Sequence, residues 1–104
     1  MKTSIIIPCY NEEKTIEKIV DKILDLKNTD LEIIVIDDNS TDSSRNIIEN
    51  KLNDKINKLI LNDRNYGKGY SIRKGIEAAT GEVLIIQDAD LEYDPKDYQK
   101  ILEP

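Results

Sequence analysis

The amino-acid sequence predicts an α/β fold: a Rossmann-like open parallel sheet of about four strands with helices on both faces. Two observations predict it. Short runs of Ile, Val and Leu recur along the chain, and each run is continuous rather than alternating, which is typical of strands covered on both sides. Between them lie stretches whose apolar residues have helical spacing, and this strand–helix alternation forms right-handed βαβ crossovers.

The predicted elements follow from these patterns in chain order. The strands are predicted at residues 4–7, 32–36, 58–61 and 82–86. The first helix is predicted at residues 13–27. Its buried stripe is expected to contain Ile16, Ile19, Val20, Ile23 and Leu24. The second helix is predicted at residues 43–52, with Thr41 or Asp42 as its N-cap.

The second half of the chain continues the alternation. A third helix is predicted at residues 68–80, and Gly81 is well placed to end it. Its buried stripe is expected to contain Ile72, Ile76 and Ala79. A fourth helix is expected to begin at Pro95, a residue tolerated at the first helical position. The chain of 104 residues is thus predicted to form a single domain spanning residues 1–104.

Composition excludes several classes of function. The formal net charge of −6 argues against a nucleic-acid binder and against a protein that binds anionic membrane surfaces. The chain has no histidine, which excludes Ser-His-Asp catalysis and histidine-ligated zinc. One cysteine forms no intrachain disulfide, and no apolar run is long enough to span a bilayer. A cytoplasmic location is therefore expected, with the cytoplasmic face of a membrane as a variant.

Acidic residues after the fourth predicted strand are the strongest candidates for chemistry. In open parallel sheets, ligands bind beyond the carboxyl ends of the strands, where strand order reverses. Asp88 and Asp90 can direct two carboxylates into such a site, and Glu92 extends the series. Hard cations such as Mg²⁺ or Mn²⁺ prefer these oxygen ligands. The alternative, equally weighted for this pair alone, is that the acids are solvated or cap the helix at Pro95.

The other three loops at this edge also carry polar groups. Asp37 and Asp38 follow the second strand, where carboxylates can bind a ribose or a base edge, although helix capping is the alternative. In the first loop, Tyr10 can pack on a base, and Glu12 can either bond to it or cap the first helix. The third loop contains residues 67–69, Gly-Lys-Gly, at a helix N-terminus suited to a phosphate or a sugar.

Together, these loops resemble the nucleotide-sugar half of the family 2 glycosyltransferases with the GT-A fold. The blocks that carry the resemblance are residues 5–13, 35–42, 65–69 and 81–90. The most similar members are the dolichyl- or polyprenyl-phosphate mannose and glucose synthases. The resemblance implies that residues 1–104 form the N-terminal, nucleotide-sugar-binding half of a GT-A fold. Family members continue into an acceptor half, and this sequence is expected to stop before it.

The resemblance also implies roles for particular residues. The implied donor-binding residues are Pro8, Tyr10, Glu12, Asp37, Asp38, Lys68 and Asp88. Asp88 and Asp90 match the family's Asp-X-Asp element, which implies that they bind Mg²⁺ or Mn²⁺. Glu92 is included as a third metal ligand, although close relatives often have Gln there. No catalytic base is identified.

The implied function is metal-dependent, inverting transfer of a sugar from a GDP- or UDP-sugar to an acceptor such as a polyprenyl phosphate. An alternative is an inactive or partner-dependent donor-binding module that pairs with itself or with another chain to cover the open sheet edge. Phosphotransfer folds are disfavoured, because receiver domains and haloacid-dehalogenase-like phosphatases place their acidic pair after the first strand.

Overall fold

The computed structural model describes residues 1–26 and 30–90 and contains one four-stranded sheet. The strands are β1 (Lys2–Cys9), β2 (Asp30–Asp37), β3 (Lys58–Leu61) and β4 (Val83–Ile86). The helices are α1 (Ile16–Leu24), α2 (Ser44–Ile47), which continues as a π-helical turn at Ile48–Leu52, and α3 (Lys68–Ala78). All strand pairs are parallel in the order β3-β2-β1-β4, which confirms the predicted fold class. The expected helix at Pro95 lies outside the described residues.

The two central strands are longer than their apolar runs suggest. β1 and β2 pair over eight positions, from Lys2 opposite Asp30 to Cys9 opposite Asp37. Backbone hydrogen bonding continues past the apolar residues at both ends because a ladder does not require apolar side chains. One consequence is that Asp37, predicted to lie in a loop, is the last residue of β2.

Helices cover both faces of the sheet, and they do so in different ways. On one face, isoleucines of β1 and β2 pack against α1 and the π-helical turn in a large apolar cluster. Four of the five residues predicted for the α1 stripe are fully buried, but Leu24, the last residue of the helix, is 46% exposed. α1 itself is shorter than the predicted range because it begins only at Ile16.

On the other face, the predicted buried stripe of α3 is only partly right: Ala79 packs against the isoleucines of β1 and β2, Ile72 is half-buried, and Ile76 is exposed. Ser71 and Gly75 are its buried residues, whereas Ile76 is 43% exposed. The reason is close packing: a Cβ at Gly75 would lie 2.5 Å from Ile6 Cγ2 and 2.9 Å from Ile36 Cδ1. Small residues let the helix lie directly on the sheet, and Ile76 is not part of this contact.

Gly81 does not end α3 as predicted. The helix ends at Ala78, and Ala79 already has extended backbone angles. Gly81 instead lies against the start of β1, where a Cβ would be 2.7 Å from the backbone nitrogen of Ser4 and 2.9 Å from the carbonyl oxygen of Lys2. The second helix also differs in detail: its N-cap position is Ser43, although Asp42 Oδ1 accepts the N–H of Ser44 at 2.8 Å.

A buried carboxylate closes the N-terminal end of the sheet. Glu32 Oε1 accepts the Ser4 hydroxyl at 2.7 Å and the Thr80 N–H at 2.9 Å, while Oε2 accepts the Thr80 hydroxyl at 3.0 Å. Lys58 Nζ lies 3.3 Å from Oε2. Burial raises the pKa of Glu32, but these hydrogen bonds outweigh it and lower the pKa to about 2.

No helix within residues 1–26 and 30–90 has both the length and the apolar character needed to cross a membrane.

Candidate nucleotide-sugar site

A cavity of about 290 Å³ opens at the carboxyl edge of the sheet, between the loops that follow β1 and β4. From β1 the chain adds β2 and then β3 on one side, and it then returns to add β4 on the other side of β1. The gap between β1 and β4 is therefore the switch point of the strand order. The cavity is lined by Pro8, Cys9, Tyr10, Glu12, Asp38, Asn65, Gly67, Lys68, Ser71, Asp88, Ala89 and Asp90. All the predicted site residues within the described ranges are in this set except Asp37.

The first loop directs alternate residues into the cavity. Tyr10 and Glu12 line it, and Asn11 between them has φ 53°, a left-handed conformation that asparagine tolerates. The Asn11 side chain binds the second loop instead: its Oδ1 accepts the N–H groups of Thr41 at 2.8 Å and of Asp42 at 3.2 Å. Asn11 therefore fixes the loop from which its two neighbours reach the cavity.

Asp37 is buried and supports the second loop instead of lining the cavity. Its carboxylate accepts the Ser40 hydroxyl at 2.7 Å, the Ser40 N–H at 3.1 Å and Arg45 Nε at 2.9 Å. Arg45 Nη2 donates in turn to the Asn62 carbonyl at 2.9 Å. The Asp37 side chain points into this network and does not line the cavity, so its donor contact stays a prediction.

Asp38 lines the cavity, and its carboxylate also shapes the third loop. Oδ1 accepts Asn62 Nδ2 and the Tyr66 N–H, each at 2.9 Å, and Oδ2 accepts the Gly67 N–H at 2.9 Å. Gly67 has φ 98°, which non-glycine residues rarely adopt. Asp38 therefore sets the start of α3, and with it the position of Lys68.

Lys68 connects the third loop to the acidic turn after β4. Its ammonium group is in contact with Asp88 Oδ1, and both residues line the cavity. Asn65 and Ser71 also line the cavity, and the buried Ser71 hydroxyl accepts Asn62 Nδ2 at 3.1 Å. Sequence reasoning missed these two residues. Ser71 lies one helical turn after Lys68, and that spacing is the signal that could have identified it.

The carboxylates around the cavity repel one another. The pKa of Glu12 is raised, first by burial and then by the negative charges of Asp90, Asp42 and Asp88, against the opposing hydrogen bond from Thr15. A site with this electrostatic character favours a cation or a proton among its acids. Within the described residues, however, no three acidic or cysteine side chains converge as a metal-binding group. A cation held by Asp88 and Asp90 would therefore take further ligands from a substrate or water, as Mg²⁺ commonly does. The predicted ligand Glu92 lies outside the described residues.

Cys9 lies at the cavity wall but is 1% exposed. Burial, and next the negative charge of Asp37, raise the pKa of its thiol to about 12. Because thiolates are the reactive form, this cysteine is not a nucleophile at neutral pH.

Fold and cavity together define a class: a parallel α/β domain with an acidic cleft at its switch point. Residues 4–104 match Glycosyl transferase family 2, and the chain belongs to that family. This confirms the resemblance inferred from the loop motifs.

Individual relatives agree with this assignment. The chain is 37% identical over 106 residues to an uncharacterized glycosyltransferase of Nostoc sp., covering 99% of this chain and 32% of that protein. It is 34% identical over 105 residues to the undecaprenyl-phosphate 4-deoxy-4-formamido-L-arabinose transferase of Aeromonas hydrophila, covering 96% of this chain and 32% of that one. The chain thus spans about a third of the length of these curated relatives.

Solved structures share the fold. S. aureus TarS 1-349 superposes with a TM-score of 0.80 at 31% identity, covering 97% of this chain and 31% of that one. The mannosyltransferase PcManGT from Pyrobaculum calidifontis, in complex with GDP-Man and Mn²⁺, gives a TM-score of 0.76 at 29% identity, covering 85% of this chain and 27% of that one. TarS 1-349 has also been solved in complex with UDP-GlcNAc, with a TM-score of 0.75 at 34% identity, covering 86% of this chain and 27% of that one.

Proposed function

We propose that this chain is the donor-binding part of an inverting glycosyltransferase and that the switch-point cavity binds a nucleoside-diphosphate sugar. The observation that carries the proposal is the layout of this cavity. Tyr10, Glu12 and Asp38 line it together with Lys68 and the Asp88–Asp90 turn. An aromatic ring, hydrogen-bond acceptors and a cationic group are the partners that a nucleobase, a ribose and a diphosphate need.

Different residues of the cavity would bind the base, the ribose and the diphosphate of the donor. Tyr10 is 43% exposed, which leaves its ring face free to stack on a base. Glu12 and Asp38 supply acceptors for base or ribose hydrogens. Lys68, at the N-terminus of α3, supplies positive charge to the diphosphate, and the helix dipole has the same sign.

Asp88 and Asp90 are the residues that would hold a divalent cation. When bound, Mg²⁺ or Mn²⁺ supplies positive charge that stabilises a departing diphosphate. The raised pKa of Glu12 supports this part of the proposal. Nearby carboxylates, Asp90 and Asp88 among them, repel the Glu12 carboxylate, and a bound cation would relieve that repulsion. The acceptor oxygen attacks the anomeric carbon as the bond to the diphosphate breaks, and the electron pair leaves with the diphosphate.

A lipid phosphate is the acceptor that we propose. A relative at 34% identity is named as an undecaprenyl-phosphate transferase. A phosphate oxygen is already ionised at neutral pH, so it needs no general base.

Calorimetry with UDP and GDP, each with and without Mn²⁺, tests the donor site. We expect one nucleotide to bind, and Mn²⁺ to tighten that binding at least about tenfold, the range typical of metal-site losses. Asp90→Asn should remove the Mn²⁺ effect. Asp25→Asn, at the exposed residue that directly follows α1, is the matched control and should leave it intact. Metal-independent binding would disprove the cation role, and no binding to either nucleotide would disprove the donor site.

A second candidate is a donor-binding module without activity of its own. It is favoured by the edge strand β4, whose Leu84 and Ile86 are 44% and 49% exposed within the described part of the chain. A second copy or a partner chain over this edge would bury them. Size-exclusion chromatography combined with a donor-hydrolysis assay separates the two candidates. Nucleotide binding by an oligomer without hydrolysis or transfer would favour the module.

A further inference from the structure

Thr15 connects two loops of the cavity without lining it. It is the residue before α1, and its hydroxyl donates a hydrogen bond to the backbone carbonyl of Ala89. Ala89 is the middle residue of the Asp88–Asp90 turn and is 3% exposed, packed in the same apolar cluster as α1. The hydroxyl therefore ties the acidic turn to the N-terminus of α1.

The same hydroxyl also faces the first loop. Thr15 Oγ1 lies 3.4 Å from Glu12 Oε2, and the Thr15 N–H donates to the Glu12 carbonyl at 3.1 Å. Thr15 Oγ1 therefore lies within reach of both the Glu12 carboxylate and the Ala89 carbonyl, at the point where the first loop meets the acidic turn. The negative charges of Asp88 and Asp90 repel the Glu12 carboxylate, and the Thr15 hydroxyl is a polar contact that both loops share.

We infer that Thr15 is a positioning residue that holds the Asp88–Asp90 turn in register with Glu12, so that cation binding and nucleotide binding in the cavity support each other. This inference rests on the proposed donor site. It assigns to Thr15 no contact with the ligand. The linkage is reciprocal: if the cation tightens nucleotide binding by some factor, the nucleotide tightens cation binding by the same factor.

The test compares Thr15→Val, which keeps the shape and removes the hydroxyl, with Thr15→Ser, which keeps the hydroxyl. For Thr15→Val we expect the dissociation constant of the bound nucleotide, UDP or GDP, to rise about tenfold in Mn²⁺, as for lost outer-shell partners of metal sites. In EDTA it should stay within about twofold. Thr15→Ser should restore the Mn²⁺ effect. Thr80→Val, at the opposite end of the sheet, should lower the unfolding midpoint and leave both constants unchanged.

Hydrogen exchange of the ligand-free protein provides a readout independent of the donor. Thr15→Val should accelerate exchange of the Ala89 and Asp90 amides, and Thr15→Ser should not. Unchanged exchange would overturn the inference whether or not any nucleotide binds. Accelerated exchange with unaltered Mn²⁺ dependence would also overturn it. If the wild type binds no nucleotide while exchange accelerates as expected, the proposed function fails, but the tie between Thr15 and the turn is supported.

Discussion

The two ends of the sheet treat carboxylates in opposite ways. At the N-terminal end, Glu32 is buried and its carboxylate accepts hydrogen bonds from Ser4 and Thr80 beside Lys58, which lowers its pKa to about 2. At the carboxyl end, Glu12 lies near other acids and its pKa is raised. The same residue type is therefore stabilised as an anion at one end and destabilised as an anion at the other.

The difference indicates that carboxylates at the N-terminal end stabilise the fold, whereas those at the carboxyl end are suited to binding. A satisfied buried anion contributes to folding, whereas a crowded set of anions contributes only when something binds to it. Removing a carboxylate should therefore lower the free energy of unfolding at the N-terminal end and raise it at the carboxyl end, and that contrast can be tested directly.

The largest effect is expected for Glu32→Ala. The change leaves Lys58 beside an empty site and removes the acceptors of Ser4 and Thr80, so we expect a loss of about 3 kcal/mol in the free energy of unfolding. Urea denaturation measures it. Glu82→Ala, an exposed residue near the same end, is the control and should change stability by less than about 0.5 kcal/mol. Equal losses would show that Glu32 does not depend on its network.

Glycine substitutions compare packing at the two ends. Gly81→Ala places a Cβ against backbone atoms of Ser4 and Lys2, and we expect a loss of about 2 kcal/mol. Gly69→Ala meets nothing within 4 Å in the first turn of α3 and should gain about 0.5 kcal/mol from helix propensity. Thermal unfolding of both variants measures the difference. A stable Gly81→Ala variant would contradict the close packing of the N-terminal end.

Acid should remove the contribution of Glu32 to the free energy of unfolding. Because the folded pKa of Glu32, about 2, lies below its ordinary value of 4.5, its stabilisation is fully present above pH 4.5 and is lost as the pH falls toward 2. The difference in unfolding free energy between wild type and Glu32→Gln should therefore shrink over this interval. Urea titrations of both proteins at several pH values measure it, and a constant difference would contradict the lowered pKa.

Among the carboxylate substitutions, the smallest effect on stability is expected at Glu12. Glu12→Gln removes repulsion from Asp90 and Asp88 and keeps an acceptor for Thr15, so stability should rise by less than about 1 kcal/mol. Nucleotide affinity in Mn²⁺ should fall in the same variant if the proposed site is correct. Thermal unfolding and calorimetry measure the two effects. A loss of stability would show that the carboxylates at this end are not in conflict.

The sequence was sufficient to predict the fold because the β-branched runs mark the strands directly. It was less informative about α3, where Gly75 and Ser71, not the isoleucines, face the sheet. Helical spacing shows that residues share a face, but the distance between helix and sheet depends on which side chains meet there. That distance is a tertiary property, and no local pattern contains it.

The residues that line the cavity were predicted to a similar degree. Strand ends identified the loops, but the role of each acid depended on backbone N–H groups that only the folded loops bring near. Asp37 and Asp38 are adjacent and chemically identical, yet Asp37 is enclosed by Ser40 and Arg45, whereas Asp38 reaches the cavity wall. Alternation along β2 and the turn that follows it produced this difference. Residue type and spacing alone could not decide which of the two lines the cavity.

The buried Cys9 offers one practical consequence. It is the single cysteine of the chain, it lies in the central strand β1, and its thiol is shielded from reagents in the folded state. Alkylation in native buffer must therefore wait until the carboxyl end of β1 opens and exposes the thiol. The labelling rate then reports how often this end of the sheet opens, so the wild-type chain carries its own reporter of rare openings without any engineered probe.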